Sequence, residues 1–258
     1  MKIVLRLFML MLLALLILQL YFAGRILMMR WINPESTSFQ RAEAYRLMRS
    51  TGELLWHQQW VAYAQISDNL KRAVIASEDA SFTEHDGVDL EALEKAWEKN
   101  QKAEQEAARK AEQARRRAGG GDKQTAINKP TAAPEPKIVG GSTITQQLAK
   151  NLFLSGERTL PRKAQELVLT LMLETFLSKQ RILEIYLNTV EWGEGVFGAQ
   201  AAALHYYRKP AGRLNAYEAA RLAVMLPRPR YFEKRAQSQY LISRAMTITA
   251  RMQAVDLP

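Results

Sequence analysis

Two stretches of this chain combine residue types that could move a proton beside a phosphate. The first is Ile75-Ala76-Ser77-Glu78-Asp79-Ala80-Ser81-Phe82-Thr83-Glu84-His85-Asp86-Gly87, which sets carboxylates on an apolar pattern. Glu78 follows Val74 by four residues and Ile75 by three, and precedes Phe82 by four. A helix over 61–82 therefore carries it on an apolar stripe. Burial disfavours a charged carboxylate and raises its pKa, the shift that a general base or acid working near neutral pH needs. Pairing with Arg72, or capping a neighbouring turn, is the structural alternative for the same side chain.

The second stretch is Gly140-Gly141-Ser142-Thr143-Ile144-Thr145-Gln146-Gln147-Leu148-Ala149-Lys150-Asn151. Two glycines permit a tight turn, and Thr143-x-x-Gln146 has the spacing of a capping box, so a helix is predicted to begin there. The unpaired N–H groups and positive dipole end of such a start form an anion site. At helical spacing Thr143, Gln147 and Lys150 share one face and Ile144, Leu148 and Leu152 the adjoining one. A diphosphate would suit the polar, cationic face; an ordinary amphipathic helix with a solvated lysine is the alternative. A third cluster is Arg162-Lys163-Ala164-Gln165-Glu166. Arg162 and Glu166 stand at i,i+4 spacing for an ion pair, and Glu166 enters a strongly apolar segment where an idle carboxylate is costly. Either the two cations hold it for structure or the trio serves a phosphate. No Walker A loop occurs, which argues against a soluble nucleotide-sugar donor.

The elements that must position these residues read as mainly α. After Ser142 the pattern is helical almost to the end: Pro161 suits a first turn, 162–178 is apolar on most faces and is predicted to be a central buried helix, and Ile182, Ile185, Tyr186 and Leu187 continue the core. Shorter helices are predicted around 199–206, 217–225 and 237–253. From Leu7 to Ala23 the chain is apolar except for Gln19, long enough to span a bilayer. The run is longer than a signal-peptide core, and Tyr21-Phe22-Ala23-Gly24-Arg25 offers no convincing cleavage site, so an uncleaved anchor is expected. Lys2 and Arg6 before the span are matched by Arg25 and Arg30 after it, so charge does not orient it. Tyr21 and Trp31 suit the outer interface. The expected organisation is an anchor over 1–30, a juxtamembrane arm over 31–60 and a catalytic domain over 61–258. The stretch 95–137 within it, rich in Ala, Glu, Lys and Arg, reads as a solvated helix ending at Gly119-Gly120-Gly121, then a proline-bearing linker to Pro136. That insertion is expected to be a surface element, with lipid contact by Arg115-Arg116-Arg117 as the sharper option.

The 258 residues carry a net charge of +10, favouring an anionic partner, and contain no cysteine, which excludes disulfides and thiolate zinc sites. The three histidines, His57, His85 and His205, lack ligand spacing, so no metal centre is expected.

Four ordered motifs resemble the family 51 peptidoglycan glycosyltransferases. They are Glu78-Asp79-x-x-Phe82-x-x-His85-x-Gly87, the block from Gly140 to Asn151, Arg162-Lys163-x-x-Glu166, and Arg181-Ile182-Leu183-Glu184-x-Tyr186-Leu187-Asn188. The similarity covers about 61–229. It resembles the domain shared by class A penicillin-binding proteins and the monofunctional biosynthetic transglycosylases. No Ser-x-x-Lys occurs, so the monofunctional form is expected.

The resemblance implies a lysozyme-like α fold with a membrane-hugging jaw. It implies a reaction joining lipid II to the nascent glycan chain through β-1,4 bonds with release of undecaprenyl diphosphate. It implies a bacterial inner-membrane location with the catalytic domain in the periplasm, cell-wall synthesis proteins as partners, and no nucleic acid. By resemblance Glu78 is the general base for the acceptor 4-hydroxyl, and Glu166 lies on the donor side. Lys150, Arg162 and Lys163 would neutralise the diphosphate, while Ser142, Thr143, Gln147 and Asn151 line the donor groove. Asp79, Phe82 and His85 brace the turn. No cofactor is required, although Mg²⁺ or another divalent cation can assist at the diphosphate. Two departures stand out: the 95–137 insertion is long for the family, and Tyr207-Arg208 replaces an aromatic-Gly pair, which puts local turn geometry in question. A hydrolase or lytic transglycosylase acting on murein, and a membrane-anchored scaffold, are the rival readings.

Overall fold

The computed structural model describes residues 2–118, 141–154, 156–157 and 159–258, with the backbone alone for 114–118. The chain divides into two compact units, one of Met1–Val88 with Thr143–Pro258 and one of Asp89–Ser142. The glycine run at 119–121, the linker prolines, Gly140 and the Arg115–Arg117 side chains lie outside the described residues.

In the first unit, α1 (Lys2–Met28) is long and apolar enough to cross a membrane, and none of the described residues covers it from Lys2 to Leu18. Its far end is knit into the domain. Ile26 and Met29 are buried in the core, and the Gln19 and Gln165 side-chain amides exchange hydrogen bonds of 2.8 and 3.0 Å. Phe22 meets Phe153 edge-on at 5.3 Å. Helix α2 (Ser38–Thr51) begins at a capping box of Thr37 and Gln40 and stops at Gly52, where φ is 76°. Gln40 also donates to the Thr189 carbonyl at 3.1 Å. Three short strands, β1 (His57–Gln58), β2 (Glu191–Gly193) and β3 (Val196–Phe197), make a sheet that the periodicity did not announce. β3 lies centrally, parallel to β1 and antiparallel to β2. A charge network around the buried Glu43 and Glu191 ties α2 to this sheet, with Arg230 contacting both glutamates and Arg46 contacting Glu43 and Glu194.

The expected helix over 61–82 is shorter. A 3₁₀ turn occupies Tyr63–Gln65, then the Ser67 hydroxyl accepts from Leu70 N–H at 3.1 Å and starts α3 (Asp68–Glu78). Asp79 leaves the helix with φ −163° and ψ 75°, so Phe82 reaches the core through a turn and not along the stripe. Leu70, Val74 and Ile75 are fully buried, each contributing on the order of 2 kcal/mol.

Helix α5 (Ile144–Phe153) follows the predicted cap: the Thr143 hydroxyl accepts from Gln146 N–H at 3.2 Å while Gln146 Oε1 accepts from Thr143 N–H at the same distance. Helix α6 (Leu160–Phe176) has Pro161 in its first turn, as expected. It is not the central buried helix that its composition suggested. It buries Glu166, Leu169, Thr170 and Leu173, yet leaves Leu160, Leu167, Val168 and Leu171 exposed. Apolar residues on most faces thus signal a second apolar contact surface, outside the protein core. Helix α7 (Lys179–Thr189) carries the fully buried Ile182, Ile185, Tyr186 and Leu187. Asn188 closes on residue 61, accepting from Val61 N–H at 2.9 Å and donating to its carbonyl at 3.0 Å. Arg181 donates to the Met29 carbonyl at 2.8 Å and to Asn33 Oδ1 at 2.7 Å.

Helices α8 (Ala199–Tyr207), α9 (Ala216–Met225), α10 (Pro229–Glu233) and α11 (Gln239–Arg251) complete the unit, and α3 packs against α9 and α11. Arg208 ends α8 in the left-handed region, φ 57° and ψ 33°, the conformation that glycine adopts most cheaply. The sequence departure there changes the residue and keeps the turn.

The second unit is described by Asp89, helix α4 (Leu90–Ala118), Gly141 and Ser142. Asp89 Oδ1 caps α4 by accepting from Ala92 N–H at 2.7 Å. Gly141 packs so closely on it that a Cβ would lie 3.3 Å from Leu93 Cα and from Ala96 Cβ.

Candidate active site

Glu78 is the last residue of α3 and half-buried. Its partner is not Arg72, whose guanidinium donates to the Val255 carbonyl. Instead Gln147 Nε2 on α5 donates to Glu78 Oε2 at 3.0 Å, and Tyr186 Oη on α7 donates to Gln147 Oε1 at 3.0 Å. Because the Gln147 oxygen receives the tyrosine proton, its NH₂ is turned to the carboxylate. Burial pushes the Glu78 carboxyl above the ordinary range; the Gln147 hydrogen bond opposes this, the neighbouring Asp79 adds to it, and a Ser77 hydrogen bond and the Arg244 cation on α11 lower it. Tyr186 is held far above its usual value by burial, with the charges of Glu78 and Asp79 adding, so it stays a donor.

Asp79 braces this end of the site. Its Oδ2 accepts from Ile144 N–H at 2.9 Å, tying the end of α3 to the start of α5, and its Oδ1 meets His85 Nε2 at 2.8 Å. Gly87 N–H donates to His85 Nδ1 at 3.1 Å, which fixes the tautomer with the proton on Nε2. Burial raises the Asp79 carboxyl, opposed by the His85 and Ile144 hydrogen bonds. Phe82 is fully buried under the Lys179 ammonium, 4.6 Å from the ring centroid. Gly87 has φ 86°, and a Cβ there would lie 2.7 Å from Thr170 Cγ2. Its carbonyl accepts from the buried Thr143 hydroxyl at 2.7 Å. Thr143 therefore caps a helix and fastens a turn.

One turn beyond Gln147, Lys150 is exposed and Asn151 half-buried. Thr145 near the start of α5 donates to Glu174 near the end of α6 at 2.6 Å. The two helices pack against each other, and the Arg162–Glu166 cluster lies in the first turns of α6. There Glu166, 4 % exposed, is clamped by Arg162 Nη1 at 2.9 Å and by the Lys163 ammonium. Among the described residues Arg162 Nε is buried without a hydrogen-bond partner. Ser142 is exposed and belongs to the second unit.

The first unit thus joins Glu78, Asp79, Phe82, His85, Thr143 and Gln147 in one network, and Arg162, Lys163 and Glu166 in another, with Lys150 and Asn151 on the helix between. Two contributors escaped the sequence reading. Tyr186 stands in the core pattern and in the fourth motif, with no role at the site assigned to it. Arg244 sits three residues after buried Leu241 and four before buried Ile248, an arginine at the edge of an apolar stripe, and that spacing was the available signal.

A transglycosylase family model matches residues 47–111 and 125–253. The chain is 49 % identical over 240 residues to a biosynthetic peptidoglycan transglycosylase of Burkholderia orbicola, covering 93 % of this chain and 85 % of the relative. It is 47 % identical over 241 residues to one of Paraburkholderia phytofirmans (93 % and 87 %) and 50 % identical over 241 residues to one of Burkholderia thailandensis (93 % and 82 %). Matched over most of its length by the family model and at about half identity by such relatives, the chain belongs to the transglycosylase family.

Proposed function

We propose that this protein is a peptidoglycan glycosyltransferase of bacterial cell-wall synthesis that polymerises lipid II into β-1,4-linked glycan strands and releases undecaprenyl diphosphate. The acceptor 4-hydroxyl forms the new glycosidic bond, its proton passes to Glu78, and the bond from the donor sugar to the diphosphate breaks with its electrons on the leaving phosphate. The observation that carries this reading is the pairing of a half-buried carboxylate, held by the neutral Gln147 amide, with a cationic cluster on the next helix. The raised Glu78 carboxyl suits a proton acceptor near neutral pH.

Lys150, Arg162 and Lys163 are the groups we assign to the diphosphate, with Glu166 as the fixed counter-charge that orients them. Asn151, Ser142 and the amide of Gln147 border the donor side. Thr143 serves through the turn it builds, and Asp79, Phe82 and His85 support Glu78. No cofactor is required; a divalent cation such as Mg²⁺ would travel with the diphosphate. We further assign 1–30 to a single-pass anchor in the inner membrane, 31–60 to an arm and 61–258 to a periplasmic catalytic domain with the 95–137 insertion. Lipid II, the nascent glycan and cell-wall synthesis proteins are the partners. The exposed apolar face of α6, beside an apolar helix of spanning length, favours contact with the bilayer surface.

Incubating the full chain with lipid II in detergent, and separately with isolated sacculi, tests the reading. Polymer formed from lipid II and abolished by Glu78→Gln is expected. Release of soluble fragments from sacculi without polymerisation would make the enzyme a murein-cleaving one.

A further inference from the structure

At the end of α1 the first unit holds a cleft of about 350 Å³, within the roughly 300–1,000 Å³ range of small-ligand sites. Met28, Met29 and Ile32 supply its apolar lining, and Asn33, Glu35 and two arginines, Arg25 and Arg41, its polar lining. Neither glutamate of the candidate active site lines it. Arg25 lies three residues before the last residue of α1, about 4.5 Å along the helix axis, so its guanidinium stands where a spanning helix meets lipid headgroups. Arg41 is placed from the other side. Its Nη1 donates to the Ser36 carbonyl at 3.2 Å and hydroxyl at 3.0 Å and its Nη2 to the Ser38 hydroxyl at 3.1 Å, and Nε and the second Nη2 N–H are not used in those bonds. Arg25 spends one N–H on Tyr21 Oη at 3.0 Å.

We propose that this cleft binds the phosphodiester headgroup of an anionic phospholipid, gripped between Arg25 and Arg41 with the glycerol and upper acyl carbons against Met28 and Ile32. Guanidinium groups match phosphate with paired donors, and the thioether and branched side chains accept an irregular apolar chain. Glu35 is the one acid in the lining; it repels a second anion and limits the site to one. The ligand is a lipid and not free phosphate, because half of the lining is apolar and continues from the helix predicted to span the bilayer. The inference rests on the membrane reading given above, though not on the reaction.

Native mass spectrometry of the full chain in dodecyl maltoside micelles, with dioleoylphosphatidylglycerol, dioleoylphosphatidylcholine or inorganic phosphate added, tests it. One phosphatidylglycerol retained in preference to phosphatidylcholine is expected, weakened about fivefold by Arg25→Gln or by Arg41→Gln, the influence of one arginine near an anionic lipid surface. Glu35→Gln should strengthen retention, an effect that general damage to the fold cannot mimic. Equal retention of both lipids, indifference to all three substitutions, or displacement of the lipid by inorganic phosphate at equal concentration overturns the site. Alkaline carbonate washing of cell membranes separates the two readings. A chain stripped by carbonate ends the membrane reading and this site together, whereas a chain retained in membranes but blind to phosphatidylglycerol ends the site alone.

Discussion

Glu78 and Glu166 are the same residue type, both withdrawn into helical surroundings, and they are held in opposite ways. Glu78 meets an amide whose own orientation is set by a buried tyrosine, and nearby charge reaches it from Asp79 and Arg244. Glu166 touches two cations directly. Burial against neutral donors leaves a carboxylate able to exchange a proton, whereas contact with an arginine and a lysine spends it on holding charge in place. A single fold can thus separate a proton acceptor from an electrostatic post by choosing the partner, without changing the acid.

The contrast is open to breaking. The largest effect is expected from Glu78→Gln, which should lower polymerisation about a thousandfold, within the range of a lost general base. Its stability should behave oppositely. The native carboxyl titrates above its ordinary unfolded value, so wild type carries a cost at pH 8 that vanishes below the ordinary carboxylate range. Melting curves should therefore place Glu78→Gln at or above wild type at pH 8, with the two converging toward pH 4; a variant less stable at every pH would make Glu78 structural. Glu166→Gln should lose both properties, about a hundredfold in kcat/KM through disordered diphosphate cations and about 2 kcal/mol in urea unfolding, less than a fully buried pair because Lys163 is half-exposed. A Glu166→Gln enzyme of normal activity would leave the cationic cluster without a role.

Finer substitutions sharpen the picture. Gln147→Leu removes the donor that favours ionised Glu78, so the acidic limb of the kcat–pH profile should move up and activity at pH 6 fall further than at pH 8; an unmoved limb would mean the amide does not act on the carboxylate. Tyr186→Phe should move the same limb in the same direction but less, since Gln147 keeps its place and loses only its orienting proton. It should cost about 1 kcal/mol, the worth of one buried hydrogen bond, read as a lower urea midpoint at unchanged slope.

Much of the site was legible because short-range chemistry wrote it. The Thr143-Gln146 cap, Pro161 in a first turn and the Arg162–Glu166 pair are local, and spacing alone finds local features. The partner of Glu78 was not legible, for Gln147 lies 69 residues away and Tyr186 reaches it from a third helix. The end of α3 was overrun for a related reason: Asp79 departs from helical geometry to meet Ile144 N–H, 65 residues on, and no periodicity encodes that pull. The α6 segment misled through surplus, since apolarity on most faces reads as burial in protein when the second face has another destination.

The Gln19–Gln165 amide exchange works as a plumb line. Gln19 is nine residues short of the end of α1, roughly 13 Å along the axis, so with α1 upright in a bilayer the front half of α6 is drawn below the waterline. Leu167, Val168 and Leu171 would then be wetted by acyl chains.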